Sequence, residues 1–190
     1  MSASVTKREC GEVYDPLTIA LHWSVAGLVV ALWIIGQVAD LFPKGPLRGG
    51  LWSTHVVLGF FLAVLVVWRL AWRVSRGRRL PPSGGRALAI AAKAVQGLMY
   101  LTLLAVILLG VVNAFVRGFN LFGVFSLPQI GDRELRKPIT EWHELAANLL
   151  LALALLHAGA ALFHHYALKD GVLLRMAPGL RRAAPDGGKL

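Results

Sequence analysis

The chain has 190 residues, 56% hydrophobic and 16% charged, with a mean hydropathy of +0.62, a balance that excludes an ordinary soluble domain. Its single cysteine, Cys10, excludes an intrachain disulfide framework and a cysteine-ligated zinc or iron–sulfur site. The net charge of +10 would suggest nucleic acid in a soluble protein, but here the cations flank apolar runs and serve as topology signals, so no nucleic-acid partner is expected.

Residues 1–16 form a short polar segment. The first span, about residues 17–38, opens at Asp15-Pro16, an N-cap followed by proline at the first helical position, and closes before Asp40-Leu41-Phe42-Pro43. It starts late and carries His22, so it is read as a retained span and not as a cleaved signal peptide. Gly45, Pro46, Gly49 and Gly50 predict the first loop. The second span runs from about 51 to 72 and ends among Arg69, Arg73 and Arg76, where arginine can snorkel to the surface. Residues 77–86, with Pro81-Pro82 and Gly84-Gly85, predict a flexible basic loop.

The third span covers about 89–112. The longest connection follows, and its aromatic run Phe119 to Phe125 is too short to cross; it is expected to lie in the interface or cap the bundle. The fourth span covers about 141–166, and residues 168–190 form a basic tail expected to fray. The fold class is therefore all-α, an integral-membrane four-helix bundle with one domain over 17–167. Lysine and arginine number thirteen on the side shared by the N-terminus, the second loop and the C-terminus, against six opposite, so the positive-inside rule places both termini in the cytoplasm.

All six histidines lie in or at the ends of spans: His22 in the first, His55 in the second, and His143, His157, His164 and His165 in the fourth. Ionisable groups are costly in hydrocarbon and face the bundle interior. His143 and His157 share a helix face about 21 Å apart in rise. With this topology His55 and His143 form an outer pair and His22 and His157 an inner pair. Two stacked imidazole pairs suit two b-type haems, each iron held from both faces. Gly59, one turn beyond His55, offers room for a porphyrin, and Arg69 and Arg73 suit propionates at the inner surface. His165 reads as interfacial, whereas His164, two turns beyond His157, faces the same way and is an alternative ligand or a substrate contact. A single metal centre fits poorly, because it needs three or four ligands converging on one point. A proton channel would call for buried carboxylates, and beyond Glu141 at the span's first position only Glu144, also at the helix end, lies in a span.

The runs Ile19-Ala20-Leu21-His22-Trp23, His55-Val56-Val57-Leu58-Gly59, His143-Glu144-Leu145-Ala146-Ala147-Asn148-Leu149, His157-Ala158-Gly159-Ala160-Ala161 and Lys169-Asp170-Gly171-Val172-Leu173-Leu174-Arg175-Met176-Ala177-Pro178 resemble the prokaryotic cytochrome b561 family over roughly residues 16–178. The branch most similar is that of small di-haem superoxide oxidases. The resemblance implies His22 and His157 as axial ligands of an inner haem and His55 and His143 as those of an outer haem. It also implies a multi-pass protein of the bacterial inner membrane that takes electrons from superoxide and delivers them to ubiquinone. Members of that branch often carry histidines near the start of the third span, where this chain has Lys93 and Gln96. Together with Arg69 and His164 these residues define an expected quinone neighbourhood. The alternatives are a cytochrome b subunit linking quinone to a dehydrogenase, hydrogenase or other redox partner subunit, and a non-redox helix bundle or channel.

Overall fold

The computed structural model describes residues 13–78, 80 and 85–180; Cys10, the Pro81-Pro82 stretch of the basic loop and the end of the tail lie outside the described residues. Four long helices dominate: α1 (Pro16–Val38), α2 (Pro46–Ser75), α3 (Arg86–Arg117) and α4 (Arg136–Phe163). All four are long and apolar enough to cross a membrane. The chain is an all-α, multi-pass membrane bundle.

Each helix begins and ends for local reasons. Asp15 caps α1, accepting from the Thr18 amide at 2.9 Å and the Thr18 hydroxyl at 2.6 Å, with Pro16 in the first turn. Its carboxylate also accepts from Trp72 Nε1 at 3.1 Å and the Arg78 amide at 3.3 Å, fastening the start of α1 to the end of α2. Burial opposes ionisation of this carboxyl, but these hydrogen bonds outweigh it and hold its pKa at about 2. Gly118 ends α3 in the left-handed conformation, φ 60°. The Arg136 guanidinium then donates to the Val116 and Arg117 carbonyls at 3.3 and 3.4 Å, satisfying acceptors that the helix end leaves free.

The helices run past the hydropathic spans. Pro46 to Gly50, expected in the first loop, form the opening turns of α2, because proline is tolerated at a first helical position and Gly45 stands before it as the N-cap residue. The α4 helix likewise opens at Arg136, ahead of the apolar run. Hydropathy reports the hydrocarbon layer, whereas a helix continues into the interface wherever its polar ends are satisfied.

The bundle is two helical hairpins, with α1 packed along α2 and α3 along α4. Its core is aliphatic: Leu21, Val25 and Leu32 from α1, Leu62, Leu65 and Val66 from α2, Leu103 from α3 and Leu150 from α4. Large apolar residues such as Val64, Val67, Leu101 and Leu155 point outward, as a lipid solvent allows. The Phe119–Phe125 run does cap the bundle, as a small hairpin in which β1 (Asn120–Leu121) pairs antiparallel with β2 (Phe125–Ser126). Its anchor is Ser53 of α2, only 1% exposed, whose Oγ accepts from the Phe122 amide at 3.0 Å. At the opposite end, the Tyr14 amide donates to the Arg175 carbonyl at 3.1 Å and Trp23 Nε1 to the Met176 carbonyl at 2.9 Å, so the tail expected to fray is instead fastened over the bundle as far as it is described, to residue 180, because these donors satisfy its backbone.

Candidate functional site

Four of the six histidines meet in two pairs. His22 of α1 and His157 of α4 lie with ring centroids 6.4 Å apart and planes at 76°. His55 of α2 and His143 of α4 lie 6.2 Å apart at 77°. The His22 pair is toward the Tyr14 end and the His55 pair toward the hairpin end, as helix spacing predicted.

Each pair has a different setting. His143 Nδ1 donates to the Val106 carbonyl of α3 at 3.0 Å, which fixes the tautomer and leaves Nε2 with a free lone pair. His55 Nδ1 is buried and closes no hydrogen bond, with the Leu32 carbonyl of α1 toward the ring. Glycine stands beside both rings. A Cβ built on Gly110 of α3 would lie 2.9 Å from His143 Cε1, and one built on Gly36 of α1 would lie 3.6 Å from His55 Cε1. Beside Gly59 a Cβ would meet no protein atom within 4 Å, so the space there is open.

The inner pair is governed by a cation. Arg69 of α2 donates to His22 Nδ1 at 3.1 Å and to the Tyr100 hydroxyl of α3 at 3.2 Å, while its second terminal nitrogen is buried and has no partner. Arg73 lies over the Tyr100 ring at 5.9 Å. Sequence reasoning named both arginines but not Tyr100, although Tyr100 lies four residues beyond Gln96, about one helical turn.

The remaining residues are not joined to one another by polar contacts among the described residues. His164 begins a π-helical turn, His164–Leu168, and pairs through Nδ1 with Asp170 at 2.5 Å; His165 stacks edge-on with Tyr166. Among the described residues no hydrogen bond or ion pair joins Lys93 or Gln96 to Arg69 or His164. Between the two histidine levels Trp33 Nε1 donates to Asn148 Oδ1 at 2.8 Å, tying α1 to α4. Near the His55 level a 330 Å³ cavity opens among Lys44, Arg48, Trp52, Phe119 and Asn120, and the Trp52 ring lies 5.6 Å from that of His55.

The family described as prokaryotic cytochrome b561 matches residues 13–179. The chain belongs to the prokaryotic cytochrome b561 family. Similar proteins include cytochrome b562 of Cereibacter sphaeroides, 35% identical over 86% of this chain and 94% of its own length. Cytochrome b561 homolog 1 of Escherichia coli is 35% identical over 87% and 97%. The probable superoxide oxidase CybB of Yersinia pestis is 28% identical over 87% and 96%. As a cytochrome b561 the chain is a membrane electron-transfer protein that carries b-type haem.

Proposed function

We propose that this cytochrome b561 holds two b haems, one between His22 and His157 and one between His55 and His143, and works as a superoxide:ubiquinone oxidoreductase. The observation that carries the reading is the spacing of the histidine pairs. A five-membered ring with bonds of about 1.33 Å puts each nitrogen about 1.1 Å from the ring centre, and a metal–imidazole bond is about 2.0–2.1 Å. Two imidazoles on one metal thus have centroids about 6.3 Å apart, against 6.4 and 6.2 Å here. Open space beside Gly59 supports the same fit.

Bound haem supplies one-electron chemistry that amino acids lack. The protein's part is ligation, charge and access. Val106 keeps the His143 proton on Nδ1, so Nε2 is free to ligate. Were His22 to hold a metal through Nε2, its ring proton would stand on Nδ1, which could then no longer accept from Arg69, and Arg69 with Arg73 beside it would be available to hold a propionate. Lys44 gives the cavity a positive wall that would draw a small anion, Arg48 being paired with Asp40 at 2.8 Å, and Trp52, whose Nε1 donates to the same carboxylate at 3.0 Å, packs edge-on against His55. Two superoxide anions give two molecules of oxygen, and their two electrons with two protons convert ubiquinone to ubiquinol. Lys93, Gln96 and His164 lie toward the other end, where quinone is proposed to bind.

The membrane in this reading is the bacterial inner membrane, with the hairpin end outward and the cation-rich Tyr14 end in the cytoplasm. The two relatives at 35% identity bear only cytochrome names, which favours a second reading as a cytochrome b subunit awaiting a redox partner. The test is a reduced-minus-oxidised spectrum and haem count of the detergent-purified protein, followed by a superoxide pulse and ubiquinone. Two haems reduced by superoxide and reoxidised by quinone support the oxidase; haems unresponsive to superoxide support the subunit.

A further inference from the structure

The two outer histidines are seated by one device used twice. His55 projects from α2 onto its hairpin partner α1, and His143 projects from α4 onto its hairpin partner α3. In each case the receiving helix presents a glycine to the edge of the ring, Gly36 and Gly110, with a backbone carbonyl four residues earlier: that of Val106 takes the His143 Nδ1 hydrogen, and that of Leu32 lies toward the His55 ring without closing a hydrogen bond. Residues four apart lie on one face of a helix, so carbonyl and glycine form one notch.

The two copies differ in tightness. At Gly110 an added methyl would lie 2.9 Å from His143 Cε1, closer than two carbons pack, and 3.4 Å from Nδ1, and the hydrogen bond to Val106 is closed at 3.0 Å. The ring is held on one side by its own helix and on another by that carbonyl, so it can yield only by swinging toward the space shared with His55, which re-aims Nε2. At Gly36 the same methyl would lie 3.6 Å from His55 Cε1, an ordinary contact, and the Nδ1 bond is open. The inner rings have no such notch: His22 meets the Arg69 guanidinium, and Gly159, two residues beyond His157, faces nothing within 4 Å.

We propose that Gly110, with the Val106 carbonyl, is the positioning residue of the outer centre: it lets His143 approach α3 closely enough to lock its tautomer and aim Nε2 at the space shared with His55. The inference rests on reading His55 and His143 as axial ligands, and it assigns Gly36 a looser version of the same task.

The experiment compares Gly110→Ala, Gly36→Ala and His143→Ala with the wild type, each purified in detergent. It reads haem per chain and the low-temperature electron paramagnetic resonance spectrum of the oxidised protein. Two haems are expected in the wild type and one in His143→Ala. Gly110→Ala is expected to fall to one haem, or to keep two with the outer low-spin signal displaced, while the inner signal stays in place and reports an intact bundle. Gly36→Ala is expected to keep two haems with both signals unmoved. Two haems and unchanged signals in Gly110→Ala overturn the proposal, as does equal damage in Gly36→Ala or loss of both centres in Gly110→Ala. Two haems in His143→Ala would instead overturn the ligand reading on which it rests.

Discussion

Arg69 offers the most quantitative handle on the site. Its guanidinium lies 3.1 Å from His22 Nδ1, and the midpoint of the His22 and His157 rings is half of 6.4 Å further on. An electron held between those rings would be roughly 6 to 7 Å from this positive charge in the arrangement seen here, an upper bound on the attraction once the guanidinium turns toward a propionate. At an effective dielectric constant of about 20 the attraction is about 2.5 kcal/mol, or on the order of 100 mV for one electron. Arg69 is half-buried, so solvent screening reduces this, and Arg69→Gln is expected to lower the potential of the inner centre by roughly 50–100 mV. The second centre is about 21 Å away along α4 and should move by no more than about a third as much. Potentiometric titration of the haem absorbance in purified protein resolves the two steps. A variant in which neither step falls, or in which both fall equally, would refute the assignment of Arg69 to the inner centre.

Three further outcomes follow from the structure. Asp15→Ala removes a helix cap and the tie to Trp72, and is expected to lower thermal stability in detergent by an amount equivalent to about 1–2 kcal/mol. Because the folded pKa of Asp15 is depressed to about 2, its contribution is complete above about pH 4 and is lost as the pH falls toward 2; the wild-type advantage over Asp15→Ala in unfolding midpoint should vanish across that window, and a difference independent of pH would contradict it. Asn148→Leu breaks the indole hydrogen bond between α1 and α4 and should cost about 0.6–1.7 kcal/mol, read as a lowered unfolding midpoint in detergent. Lys44→Glu places an anion in the cavity beside Trp52, and stopped-flow reduction by superoxide should slow severalfold at low salt and converge on the wild-type rate as ionic strength rises; a salt-independent defect would argue against steering.

Much of this architecture is legible in the residues. Four apolar runs closed by arginine and proline give the helices, and histidines at matching depths give two pairs, because an ionisable group in hydrocarbon must find company. Helix ends are less legible: Pro46 to Gly50 look like a loop but extend α2, since a proline-led turn at the interface costs little. Ser53 resembles any small polar residue until the hairpin amide is seen to rest on it. Gly36 and Gly110 carry no local signal, because glycine in a membrane helix is as often a packing residue, and only the rotation of α1 and α3 shows which face meets a histidine. Asn148, the only side-chain amide in the fourth span, was a signal open to sequence reasoning, since an intramembrane amide implies a partner on a neighbouring helix. Lys93 and Gln96 were named by resemblance, and no contact among the described residues ties them to His164, which is engaged with Asp170.

The four histidines are expected to act as two pairs. The direct measurement is the haem-to-protein ratio, with reduced-minus-oxidised spectra, in the wild type and in His22→Ala, His157→Ala, His55→Ala and His143→Ala. Two haems in the wild type are predicted, with the first two variants losing one spectral component in common and the last two losing the other. Retention of both components in any one variant, or loss of components that cross the two pairs, would contradict it.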